Sequence, residues 1–249
     1  MNLTQTFTSL FKMKQILLIT ILLISIRAFS QNEFVSLFNG ENLDGWVEKK
    51  TLRDRNYPFW RVIDGTIMAN SLNNPEHNYA WLYSENEYAD FELKFKFRAF
   101  KTSTGNSGVQ VRSSYDDENY WMNGPQVDIH PPEPWRTGMI WDETKGNQRW
   151  IYPNIPKSAW VNESMQKKSL LFYFAEETNQ WNVMRIRCKG TSIEAWLNGV
   201  KITNFDGAGI LDDDTHQELQ VGMKGHIAFQ IHEKDALILQ FKEIFIKEL

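Results

Sequence analysis

The alternation of apolar and charged residues over 90–100 constrains this chain more than any other feature. Phe91, Leu93, Phe95 and Phe97 fall on one side of an extended backbone, with Glu92, Lys94, Lys96 and Arg98 on the other. A period of two is the mark of a strand with one face buried and one wet. The pattern returns over 108–113, where Val109 and Val111 oppose Gln110 and Arg112. It returns again over 125–130, with Val127 and Ile129 against Gln126, Asp128 and His130. Over 226–232, Ile227, Phe229 and Ile231 oppose His226, Gln230 and His232. The last run, 237–246, changes phase at Lys242-Glu243, which predicts a bulge.

Turn chemistry sets the connections. Residues 60–63 and 66–69 flank Asp64-Gly65, and 193–197 and 200–203 flank Asn198-Gly199. Both dipeptides supply the positive φ angles of a two-residue type I′ turn. No helical-period stretch of useful length follows residue 30. Many short strands separated by turn signals predict an all-β sandwich or jelly roll.

The first thirty residues read differently. Lys12 and Lys14 precede an apolar run over 16–26, and Ala28-Phe29-Ser30 offers a small-x-small cleavage site. A spanning helix needs about twenty apolar residues, so this run predicts a signal peptide and not a membrane anchor. The expected division is a signal peptide over 1–30 and one domain over 31–249, exported to the periplasm or beyond. Cys188 is the only cysteine, so no intramolecular disulfide can brace the core. It falls on the apolar side of its strand with Met184 and Ile186, as an inert thiol would. The net charge of −4 and the lack of a basic block argue against nucleic acid as partner. Ten tryptophans exceed what one core usually needs, and indole faces stack on sugar rings. Several of them, including Trp141 and Trp150, fall in a Pro- and Trp-rich region over 131–166. That region is expected to be an ordered binding loop folded over one sheet face.

The polar face of the middle strands offers Gln110, Arg112, Gln126, Asp128 and His130. Solvated faces favour Lys, Glu and Thr, whereas these side chains orient hydroxyls and carbonyls directionally. A two-carboxylate glycosidase of the laminarinase type would show Glu-x-Asp-x-x-Glu on one strand. Gln126-Val127-Asp128-Ile129-His130 lacks it, and Asp142-Glu143 would bring a second acid only from another element. His130, His232, Asp128 and Glu143 could assemble around a divalent metal ion, although no short ligand spacing announces one. The acidic runs 116–118 and 212–214 read as solvated loops.

Taken in order, the motifs resemble a known family. Leu37-Phe-Asn-Gly40 and Leu43-Asp-Gly-Trp46 are followed by Trp60-Arg-Val-Ile-Asp-Gly65 and Asp90-Phe-Glu-Leu93. Gly105-Asn-Ser-Gly-Val-Gln-Val-Arg112, Gly124-Pro-Gln-Val-Asp128, Trp181-Asn182, Trp196-Leu-Asn-Gly199 and Gly225-His-Ile-Ala-Phe-Gln-Ile-His232 continue the series. The set is similar to the 3-keto-disaccharide hydrolase family and spans nearly all of 34–249. The resemblance implies a concanavalin A-like jelly roll acting on glycosides already oxidised to a ketone at C3. Such a ketone acidifies the C2 proton, so a base can remove it and expel the C1 substituent by β-elimination. On this reading Asp128 or His232 is the base, Arg112 with Gln126 orients substrate or stabilises the enolate, and Glu143 is a loop-borne acid or metal ligand. Gln110, His130, Trp141, Trp150 and Asn198 are assigned to substrate binding. A non-catalytic carbohydrate-binding module of the same fold is the competing expectation; it needs aromatic platforms but no buried charged cluster.

Overall fold

The computed structural model describes residues 33–166 and 169–249. The apolar run over 16–26 and the expected cleavage before Gln31 lie outside the described residues. Sixteen strands follow in order: β1 (Val35–Ser36), β2 (Trp46–Lys50), β3 (Trp60–Ile63), β4 (Thr66–Asn70), β5 (Ala80–Tyr88), β6 (Phe91–Ala99), β7 (Ser107–Asp116) and β8 (Trp121–Asn123). The second half supplies β9 (Pro125–Ile129), β10 (Ile140–Asp142), β11 (Arg149–Tyr152), β12 (Asn182–Lys189), β13 (Ser192–Leu197), β14 (Val200–Asp206), β15 (Gly225–Ile231) and β16 (Ile238–Glu248). Helix among the described residues is confined to α1 (Asp214–Glu218) and three short 3-10 turns.

The strands form two antiparallel sheets. One runs β14-β13-β12-β6-β16-β4-β3, with β1 on β16; the other runs β11-β10-β9-β7-β15-β5-β2, with β8 on β7. This is the jelly-roll β-sandwich that the alternation predicts. Phe91, Leu93, Phe95 and Phe97 of β6 are fully buried, as are Val109, Val127, Ile129, Phe229 and Ile231 of the facing sheet. Burying each such side chain contributes roughly 1.5–3 kcal/mol of transfer free energy, which sets the register of both sheets. Cys188 is buried among them, and burial pushes its thiol up to about 12.

Both turn predictions hold. Asp64 and Gly65 have φ of 49° and 70°, and Asn198 and Gly199 have φ of 49° and 84°. The bulge in β16 falls where the phase changes: its register on β6 shifts between Lys242 and Phe245, with Glu243 at φ 49°.

The region over 131–166 departs from the expectation of a long loop. It contains a 3-10 turn at Pro134–Arg136, then β10 and β11, which extend the second sheet beyond β9. Short strands of three and four residues, set among prolines, carry too little alternation to be seen in sequence. The outcome for the fold is a second sheet buried on both faces. One face meets the core, and the other carries Gln110, Gln126, Asp128 and Gln230, all buried.

Candidate active site

The site grows from β9. Its pairing with β7 sets Gly108 opposite Asp128 and Gln110 opposite Gln126. Gly108 matters here, because a Cβ at that position would stand 2.3 Å from Gln126 Cδ. Its absence lets the Gln126 side chain lie across β7, where its Oε1 accepts from Gln110 Nε2 at 3.1 Å. Ser113 Oγ in turn donates to Gln110 Oε1 at 3.1 Å. Gln110 therefore fixes the orientation of Gln126 from below and does not itself line the cavity.

Asp128 is only 1% exposed, and neither carboxylate oxygen has a hydrogen-bond partner. The nearest cation is Arg136, whose Nε lies 3.3 Å from Oδ2 without hydrogen-bond alignment. Burial raises the Asp128 pKa to about 6, against the opposing pull of Arg136 and His232. Arg136 closes the 3-10 turn at Pro134–Arg136, and its guanidinium carbon sits 5.2 Å from the Trp150 ring centroid and 5.7 Å from that of Trp160. The backbone holds the arrangement: Asp128 N–H donates to the Met139 carbonyl, and Gly138 N–H to the Asp128 carbonyl.

His232 follows β15 and is held on both ring nitrogens. Nδ1 lies 3.3 Å from Asp235 Oδ2 and 3.1 Å from the Glu233 carbonyl, and Nε2 lies 3.1 Å from the Tyr79 hydroxyl. Burial opposes its charge, but Asp235, the Glu233 carbonyl and Glu143 outweigh burial and raise its pKa. Asp235 is itself fixed by the Asn106 N–H at 2.8 Å. His130 behaves oppositely. Burial and Arg136 push it down to about 4, and its Nδ1 accepts from the Glu133 N–H at 3.0 Å.

Glu143 follows β10. Its N–H donates to the Gly124 carbonyl, its own carbonyl accepts from Trp121 Nε1 at 2.8 Å, and Oε1 accepts from Gln230 Nε2 at 3.3 Å. Burial raises its pKa to about 7. Two buried carboxyl groups with such values beside one cavity are a combination found at acid–base sites.

These groups line one cavity of about 450 Å³, within the range of small-molecule sites. Of the residues expected from sequence, Asp128, His232, Glu143, Gln126, His130, Trp141 and Trp150 all border it. Arg112 does not. Its φ of 52° turns the side chain out of the alternation, and its guanidinium donates to the carbonyls of Ala89, Gly190 and Gly222 and to Asp90 Oδ1. It ties the end of the sandwich together. Asn198 is also elsewhere, bonded to Val183 N–H and the Leu171 carbonyl beside its turn. Sequence reasoning missed Tyr79, Asn106, Trp121, Arg136, Gln148, Trp160 and Asp235, which complete the lining. Most come from loops or strand ends, where no periodicity marks them; Asp235, three residues after His232, had the one local signal. Among the described residues, no group of three or more His, Cys, Asp or Glu is arranged to hold a metal ion. Among the same residues, no helix is long and apolar enough to cross a membrane.

A family model described as the 3-keto-alpha-glucoside-1,2-lyase-like domain matches residues 33–247. The chain belongs to this family. That makes it a relative of 3-keto-glycoside hydrolases, with carbohydrate as the related ligand class. Two solved structures from Parabacteroides distasonis, both provisionally named glycosyl hydrolases, share the fold. One has a TM-score of 0.55 at 18% identity, covering 87% of this chain and 94% of its own. The other has 0.54 at 22%, covering 88% and 100%. None of the curated proteins matches the chain.

Proposed function

We propose that the pocket cleaves glycosides bearing a ketone at C3 by eliminating the C1 substituent, with Asp128 as the base. The observation that carries this reading is the Asp128 carboxylate, buried, unpartnered by any hydrogen bond and bordering the cavity. A carboxyl group with a pKa of about 6 is ionised near neutrality yet more basic than an exposed aspartate. It suits a C2 proton that the neighbouring ketone has already acidified.

The step balances as follows. Asp128 takes the C2 proton, and the electron pair moves toward the C3 oxygen as an enolate. Arg136 and protonated His232 supply positive charge where that oxygen becomes negative, the role expected of Arg112 from sequence. The enolate then expels the C1 oxygen, which takes a proton from Glu143, leaving a conjugated enone. Addition of water across C1 and C2 would complete a net hydrolysis. Tyr79 and Asp235 hold His232 in place, and Gln126, oriented by Gln110, faces the substrate hydroxyls.

Asp128 and Glu143 border the same cavity, which also suits an ordinary two-carboxylate glycosidase. Both mechanisms ask for one ionised and one protonated carboxyl group, so the raised values of Asp128 and Glu143 suit either and the substrate has to separate them. Release of nitrophenol from a nitrophenyl 3-keto-glucoside and from the unoxidised glucoside separates the readings. Elimination requires turnover of the ketone alone. Turnover of the plain glucoside would favour the two-carboxylate hydrolase, and binding without turnover of either would favour a carbohydrate-binding module.

A further inference from the structure

The cavity is chemically divided along its sheet. Asp128 and His232 belong to β9 and the end of β15, in the middle of the sheet. Beyond them, over β10 and β11, the wall is built from indoles. Trp141, Trp150 and Trp160 form a closed triangle with ring centroids 5.2, 5.4 and 5.5 Å apart. The packing is graded outward: Trp150 is buried, Trp141 half-buried, and Trp160 59% exposed at the rim. A tryptophan that exposed while bordering a cavity is not core packing. It is an apolar surface offered to something that enters.

We infer that this tryptophan wall is the leaving-group subsite and that it selects an aromatic aglycone. The inference rests on the reading of the pocket as one that expels a C1 substituent. Sugar leaving groups carry hydroxyls on every side and need several hydrogen-bonding groups around their edge. This end of the cavity offers few: Gln126, paired across from Trp141, the exposed Gln148, and Arg136, whose guanidinium already stacks on Trp150 and Trp160. An aromatic ring needs only flat and edge-on apolar neighbours, which three mutually tilted indoles provide. The guanidinium stacked on two of the indoles also connects this wall to Asp128, so that an occupied subsite and the base share one neighbour.

Calorimetric titration of the full chain with phenyl α-glucoside, methyl α-glucoside and maltose tests the inference. Phenyl α-glucoside should bind about three- to tenfold more tightly than methyl α-glucoside, as one aromatic stacking contact warrants, and maltose no more tightly than the methyl compound. Trp160→Ala should erase the phenyl advantage; at 59% exposure its removal should leave the fold intact, and an unchanged melting temperature would verify that. Equal affinities, no binding of the phenyl compound, tightest binding of maltose, or a phenyl advantage that survives in Trp160→Ala would each overturn it. None of these ligands carries a ketone. A failure of the elimination mechanism would therefore appear in turnover assays and leave this comparison intact.

Discussion

Asp142 and His216 form a fully buried pair, Oδ1 to Nε2 at 3.4 Å, one residue before Glu143 along the chain. The other ring nitrogen of His216 lies 2.8 Å from Asp213, which also caps α1. Burial opposes the imidazolium, but the two carboxylates outweigh it and raise the His216 pKa. A histidine with a raised native value stabilises the fold fully below its unfolded value of about 6.5, and the contribution is lost as pH rises through the native value. His216→Gln should therefore lower stability by about 3 kcal/mol at pH 6, as expected for removing one partner of a buried pair. The deficit should narrow toward pH 9. Thermal melts of both proteins across that range check it, and a deficit independent of pH would show that His216 is neutral throughout.

The pH dependence of turnover follows from two values. Asp128 must be ionised to act as base, and its pKa is about 6. Glu143 must be protonated to act as acid, and its pKa is about 7. The profile of kcat/KM on a 3-keto-glucoside should be a narrow bell between them. Asp128→Asn should reduce the rate by about a hundred- to ten-thousand-fold. A flat profile would exclude this assignment.

The same substitution should stabilise the protein. A carboxyl group whose folded value is raised from 3.8 to about 6 costs stability as pH climbs through that interval, and the full cost persists above it. Two units correspond to about 3 kcal/mol, a figure that already includes the attraction of Arg136. Asp128→Asn should melt higher than the parent at pH 8 and no higher at pH 4. A lower melting temperature at pH 8 would mean that Arg136 outweighs desolvation.

Arg112→Lys tests a residue moved from the site to the scaffold. Lysine cannot reproduce a planar fork that reaches Asp90 and three backbone carbonyls. A loss on the order of 3 kcal/mol is expected, with kcat/KM per folded molecule unchanged. A selective loss of turnover at full stability would return Arg112 to the chemistry.

Gly199→Val isolates backbone strain, because a Cβ at Gly199 would meet no atom within 4 Å. Its φ of 84° lies where a β-branched residue is strained. Chemical denaturation should show a loss of about 1–3 kcal/mol.

The sandwich was legible because its core strands bury one face and wet the other, and because Asp64-Gly65 and Asn198-Gly199 permit few other turns. Half of the site was legible for the same reason, since Gln126 and Asp128 simply follow the alternation of β9. Arg112 escaped because a single positive φ breaks the period, and only the completed fold shows the carbonyls that reward it. Tyr79, Arg136 and Asp235 escaped because loops bring them in. Tyr79 reaches His232 from 153 positions away, a contact that no local pattern encodes.

Among the described residues, β11 is the last strand of its sheet and pairs only with β10. Asp128 lies on β9, between β7 and β10, and Glu143 follows β10, which is paired with β9 on one side and β11 on the other. Residues 148–166, with Gln148, Trp150 and Trp160, make up this edge strand and the chain around it. On the reading proposed above, changes along that edge would reshape the aromatic wall while Asp128 keeps its place on β9, and Arg136, stacked on Trp150 and Trp160 and 3.3 Å from Asp128, would carry the change across to the base.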